Sequence, residues 1–146
     1  MTRLKAHMYL LDTNVISELR KKTRANSGVR RFIGRVTEEG DRLFISVVTL
    51  GELRRGVELI RYRGDSRQAN QLEKWLQGLV VEYREQILDI TPDIAQLWGY
   101  LRSLHPENAL DKQIAATALI YDLTVVTRNE KDFARTGVTV LNPFAA

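Results

Sequence analysis

"MYLLDTNVIS" (residues 8–17) is the stretch on which the reading of this chain turns. Met8–Leu11 is short and apolar, the pattern of a strand covered on both faces. It ends on Asp12, and a helix-like stretch follows at once. A strand that hands over directly to a helix begins a βα unit, and repeated units of that kind build a parallel sheet with right-handed crossovers. The same stretch raises a chemical question. A carboxylate closing a covered strand sits at the edge of the core, where holding its charge costs free energy.

Working outward, the same strand pattern recurs at Leu43–Val48, Leu123–Thr127 and Val138–Leu141, with Ile87–Ile90 as a short fifth piece. Helical spacing joins Leu50, Leu53, Val57 and Ile60, then Ala69, Leu72, Leu76 and Leu79, then Ile94, Leu97, Leu101 and Leu104. Thr91-Pro92 supplies a cap and a first-turn proline for the third of these. Ala109–Tyr121 is apolar almost all round, which predicts a helix deep in the molecule. Trp75 and Trp98 fall on apolar faces and are read as core. The fold class is therefore α/β with a central parallel sheet of four or five strands. With 146 residues, three prolines, no repeat and no linker, residues 1–146 are expected to form one domain.

Composition narrows the function. Hydrophobic residues make up 44% of the chain, so a packed core is expected rather than disorder. There is no cysteine, which excludes disulfides and thiolate zinc sites and suits a cytoplasmic location. No apolar run approaches a membrane span, and the basic start before Asp12 lacks a signal-peptide cleavage site. Net charge is +4, with basic clusters at Arg20, Lys21, Lys22 and Arg24, at Arg30, Arg31 and Arg35, and at Arg54, Arg55, Arg61, Arg63 and Arg67. Such clusters permit a polyanionic partner, and they equally suit solvated helix faces.

The acids decide more. In an open parallel sheet, ligands bind beyond the carboxyl ends of the strands. Asp12 ends the first strand, Glu52 follows the second in "ISVVTLGELRRGV", Asp111 opens the apolar helix in "NALDKQIAATAL", and Asp132 follows the strand that ends at Thr127. Each has a structural explanation: Thr49 and Glu52 fit a capping box, Asn108 and Asp12 fit helix caps, and Asp132 fits solvated surface. Taken together, converging carboxylates raise one another's pKa, a conflict that a divalent cation relieves. All-oxygen ligands favour Mg²⁺, with Mn²⁺ as a substitute, over zinc. His7 and His105 are expected on the surface. A carboxylate-held Mg²⁺ suits phosphodiester hydrolysis by an activated water.

The ordered set "LLDTNVISEL", "ISVVTLGELRRGV", "DKQIAATAL", "LTVVTRNEKDF" and "GVTVLNPF" strongly resembles the PIN-domain ribonucleases, and most of all the VapC and FitB toxins of toxin–antitoxin operons. The resemblance implies a three-layer α/β/α PIN-like fold and a Mg²⁺-dependent endoribonuclease toxin acting on RNA. It also implies a homodimer and a cognate VapB/FitA-like antitoxin as partner. It carries catalytic and metal-holding roles onto Asp12, Glu52 and Asp111. Where many relatives have a fourth Asp, this chain has Asn129, with Asp132 as the nearest carboxylate. Thr13, Asn14, Thr127 and Asn129 are expected to position water or phosphate, and Lys112 to touch RNA. A second reading is a catalytically inactive PIN-like module that binds RNA or protein. The strand-ending Asp12 also suggests an aspartyl phosphotransferase, but the second Asp of the D-x-D pattern is Asn14 here.

Overall fold

The computed structural model describes residues 7–145. The reading of the basic start at Arg3 and Lys5 lies outside the described residues. Five strands, β1 (Met8–Leu11), β2 (Arg42–Ser46), β3 (Ile87–Leu88), β4 (Thr124–Val126) and β5 (Val140–Leu141), form one sheet in the order β3-β2-β1-β4-β5. Every pairing is parallel. The helices are α1 (Thr13–Leu19), α2 (Ser27–Glu39), α3 (Val47–Tyr62), α4 (Ser66–Glu82), α5 (Pro92–Leu104) and α6 (Ala109–Tyr121). Among the described residues no helix is long and apolar enough to cross a membrane.

The period of two along a strand sends successive side chains to opposite faces, and the core divides accordingly. The register aligns Leu10 with Phe44 on one side and Val125 on the other, and all three pack with Ile94, Leu101, Ile114 and the alanines of α6. Tyr9, Leu11, Ile45 and Val126 face the other way, onto α1 to α4 through Val15, Val29, Phe32, Leu53 and Leu76. The result is the expected three layers, with α5 and α6 on one face and α1 to α4 on the other. Trp75 and Trp98 pack against these two clusters, as their spacing predicted.

The differences from the sequence reading are local. β2 stops at Ser46, not Val48, because the Ser46 hydroxyl caps α3 by accepting from the Val48 N–H at 3.1 Å. Thr49 therefore lies inside the helix rather than at its cap, so the expected capping box with Glu52 does not form. β4 and β5 are shorter than their apolar runs. Asp122, at φ 57°, ends α6 in a left-handed turn, and the Leu123 N–H returns to the Ala118 carbonyl at 2.8 Å before β4 begins. One helix escaped the pattern reading altogether: α2, whose Val29, Phe32 and Val36 are buried between exposed Arg30, Arg31 and Arg35.

Two of the five arginines of the third basic cluster are committed to the fold. Arg54 and Arg61 bond to Glu58 and Glu73, tying α3 to α4.

Candidate active site

Parallel strands that enter helices at their carboxyl ends leave one rim of helix starts and loop beginnings. Asp12 follows β1 on that rim and is 4% exposed. The Asp12 N–H donates to the Val126 carbonyl at 2.9 Å, which continues the β1–β4 ladder one residue past the strand. The side chain then turns to cap α1: Oδ1 accepts from the Thr13 N–H at 2.8 Å. Oδ2 accepts from the Thr127 hydroxyl at 2.8 Å and from Asn14 Nδ2 at 3.3 Å. The cap explanation and the site explanation are thus both true of Asp12, with different oxygens serving each.

Thr127, fully buried, is the hub opposite. Its hydroxyl donates to Asp12 and accepts from Asn14 Nδ2 at 3.2 Å and from the Asn129 N–H at 3.0 Å. One donor and two acceptor sites are then filled, and the hydroxyl has one orientation. Asn14 reaches across with its other end, where Oδ1 accepts from the Arg128 N–H at 3.0 Å. Glu52, half-buried on α3, accepts from the Thr13 hydroxyl at 2.9 Å. Residues far apart in sequence are stitched together by Thr13, Asn14 and Thr127.

The electrostatics show the acids to be one group. Burial raises the Asp12 carboxyl above its ordinary range; the Thr127, Thr13 and Asn14 bonds oppose the shift, and the Asp132 charge adds to it. Burial also raises Glu52, against the Thr13 bond, with the Asp12 charge adding to it. Asp111 is pushed up to about 7 by burial first, then by the charges of Asp12, Asp132 and Glu52. Among the described residues no donor bonds to the Asp111 carboxylate. Four carboxylates from four parts of the chain therefore share one field, and one of them is left open.

Asp132 lies near enough for its charge to raise Asp12 and Asp111. It sits on a 3₁₀ turn (Glu130–Phe133) and accepts from Asn108 Nδ2 at 3.5 Å. Asn129 is exposed and contributes its backbone N–H. Asn108 does not cap α6 with its side chain; at φ 54° it adopts a left-handed conformation and turns to Asp132 instead. Lys112 departs from the expectation of RNA contact. It is 4% exposed, and its ammonium bonds to the Glu107 carbonyl, fastening the turn before α6. His7 is exposed and His105 pairs with Glu107 at 4.0 Å.

Ser46 was missed by the sequence reading. It is fully buried, and continuing the β1–β2 register places it beside Asp12. The strand-end logic that singled out Asp12 would have found it, had β2 been ended two residues earlier.

Among the described residues no group of three or more His, Cys, Asp or Glu forms a ready-made metal cage. The donor set is nevertheless that of a hard cation: carboxylate oxygens only, both of Asp111's without a donor, at a partly open rim. This fits an ion that keeps several waters and takes few protein ligands, as Mg²⁺ does.

Residues 9–138 match the PIN domain family. Toxin FitB of Neisseria gonorrhoeae is 33% identical over 94% of this chain and 99% of its own length. Plasmid stability protein StbB of Pseudomonas syringae pv. tomato is 37% identical over 95% and 100%. VapC ribonuclease Y4jK of Sinorhizobium fredii is 29% identical over 94% and 98%. Among solved structures, FitAcB from Neisseria gonorrhoeae aligns with a TM-score of 0.79 and 33% identity, covering 95% of this chain and all of that one. A toxin-antitoxin complex from Klebsiella pneumoniae aligns with a TM-score of 0.59 and 26% identity over 92% and 97%.

Proposed function

The chain belongs to the PIN-domain family, and from that premise we propose that it is the endoribonuclease toxin of a toxin–antitoxin pair, dependent on Mg²⁺ and held in check by a cognate antitoxin. The observation that supports this reading most is the shared field of Asp12, Glu52, Asp111 and Asp132, which raises Asp111 to about 7. An adaptor gains nothing from a set of mutually repelling carboxylates, whereas a metal-dependent nuclease needs them. The similarity to a protein named a VapC ribonuclease and to one named Toxin FitB points the same way.

Asp12, Asp111 and Glu52 would hold the ion. When bound, it supplies Lewis acidity at a phosphoryl oxygen and lowers the pKa of water. The chain's own residues set the stage. Thr127 and Asn14 fix Oδ2 of Asp12, so the carboxylate that must face the ion does not reorient. Thr13 restrains Glu52 in the same way. Asp132 would orient a water there, with Asn108 steadying it.

The test is cleavage of a labelled RNA by the purified chain. Cleavage is expected in Mg²⁺, is restored by Mn²⁺, and stops in excess EDTA. Activity that persists undiminished in the chelator rules the mechanism out. A chain that binds RNA but cleaves none under any divalent ion would instead be a non-catalytic PIN module.

A further inference from the structure

Between α1, α3 and α4 lies a cavity of about 270 Å³. It joins the acidic group directly, because Thr13 and Glu52 line it. The Thr13 hydroxyl donates to Glu52 at 2.9 Å, and the Asp12 charge is felt at Glu52. The rest of the lining is of two kinds. Leu53, Leu72 and Trp75 make an apolar side, with Leu53 buried and the other two half-buried. Ser17 and the exposed Arg20, at the end of α1, make a polar one. Among the described residues the Ser17 hydroxyl, the Arg20 guanidinium and the Trp75 indole N–H make no hydrogen bond or ion pair. Arg54 and Arg61, by contrast, are held by Glu58 and Glu73. An apolar hollow edged by a few unspent polar groups is the pattern of a small-ligand site.

The lining restricts the occupant. An acidic group would meet the Glu52 carboxylate and a basic one the Arg20 guanidinium, each as a like charge. A purely apolar group would leave three donors without an acceptor. A helix is about 10–12 Å across with its side chains, so the hollow takes one planar group and not the body of a helix. A nucleobase meets every condition. It is uncharged, its face gains from aromatic and apolar contact once unstacked, and its edge carries acceptors for N–H and O–H donors. The substrate of the acidic site brings such groups with it, since a phosphodiester held there has a base on either side.

We propose that this cavity is a nucleobase subsite, which takes one unstacked base next to the scissile phosphodiester. Trp75 and Leu72 receive its face, and Ser17 and Arg20 its edge. The proposal rests on the nuclease reading above and adds what the site recognises besides phosphate. It gives the chain a sequence preference at one position of its RNA.

The experiment starts from a labelled single-stranded RNA that the wild type cleaves at a mapped position. The base on each side of that position is removed in turn, leaving an abasic ribose. At least one of the two abasic RNAs is expected to lower kcat/KM roughly fivefold to a hundredfold. Gly56→Leu then fills the cavity. Gly56 lines it from an exposed part of α3, a Cβ there meets nothing within 4 Å, and replacing a mid-helix glycine favours the helix. This variant should lose a similar factor on the full RNA and nothing further on the abasic one. Its circular dichroism and its Mn²⁺ affinity by calorimetry should match the wild type. Arg20→Gln should give a smaller loss in the same sense. Gly78→Leu, at an exposed glycine of α4 outside the cavity, is the control and should change nothing. If neither abasic RNA is cleaved more slowly, or if the losses from Gly56→Leu and from the missing base multiply, the subsite is wrong while the nuclease reading stands. If Gly56→Leu cleaves like the wild type but escapes neutralisation by a co-expressed antitoxin, the cavity belongs to a protein and the proposal is overturned. A wild-type chain that cleaves no RNA in Mg²⁺ or Mn²⁺ overturns both.

Discussion

Asp12 closes β1, caps α1 and shares a field with three other acids through two oxygens. Its replacement by Asn keeps the shape and the cap acceptor but removes the charge. Asp12→Asn is expected to lower metal-dependent cleavage by at least about a hundredfold while leaving circular dichroism unchanged. A thermal midpoint at or above that of the wild type in EDTA is also expected, because repulsion is relieved. Full activity in this variant would remove Asp12 from the reaction. Thr13→Val cuts the link to Glu52 and should weaken metal affinity about tenfold to a hundredfold, read by titration calorimetry with Mn²⁺.

Asp111 gives the pH dependence. Its carboxyl titrates near 3.8 in the unfolded chain and at about 7 in the metal-free fold. Between these values the folded state holds more protons, so stability falls as pH rises through the window, and the whole penalty stands above about 7. Asp12 and Glu52, also raised, act in the same sense. The midpoint of the EDTA-treated protein should therefore drop from mildly acidic to mildly alkaline pH, and Asp111→Asn should flatten the drop. Metal affinity should rise across the same window as protons leave. Equal pH slopes for variant and wild type would count against the coupling.

At the scale of elements, the sequence was most legible where one period dominates. β1 has the predicted bounds, and α5 begins at the predicted Thr91-Pro92. α6 is buried along Lys112–Thr117 and at Ala118, as its continuous apolarity required. It was least legible where a hydroxyl or a charge overrode the pattern. Ser46 ends β2 because its side chain bonds a helix N–H, an event invisible to apolar spacing. α2 was hidden because its arginines interrupt a stripe of only a few apolar residues. The acids were found by position, at strand ends and helix starts. Asn108, which steadies Asp132, could not be, since its role depends on a left-handed turn. Two substitutions test the packing. Ile114→Ala, at a fully buried position between α6 and the sheet, should cost about 2–5 kcal/mol. Ser46→Ala, which loses the α3 cap, should cost about 1 kcal/mol. Both are read from denaturant midpoints, and a Ser46→Ala cost near zero would mean that the cap is idle.

At the scale of the whole molecule, the two helical layers divide the work. The α1–α4 side carries the arginine network that ties α3 to α4, and the α5–α6 side brings Asp111 and the Asn108 turn to the rim. The net charge of +4 is thus unevenly available, and much of the basic character along α3 and α4 is internally balanced. The antitoxin expected as partner should be encoded beside this gene. Co-expression is expected to relieve growth arrest and to yield a complex in which RNA cleavage is suppressed. Neighbouring reading frames that fail to bind would leave the nuclease without its operon. A homodimer is likewise proposed, and light scattering should return about twice the 16.8 kDa of one chain.

The sheet itself bears on how such copies meet. Its outer strands, β3 and β5, are two residues long. A second molecule approaching edge-on finds almost no backbone to bond, where an ordinary strand offers about five or six residues. Polymerisation by strand addition is thereby denied to the folded chain. Concentrated solutions should stay free of thioflavin-positive fibrils, and any contact between copies falls to side chains on helices, where it can be tuned one residue at a time.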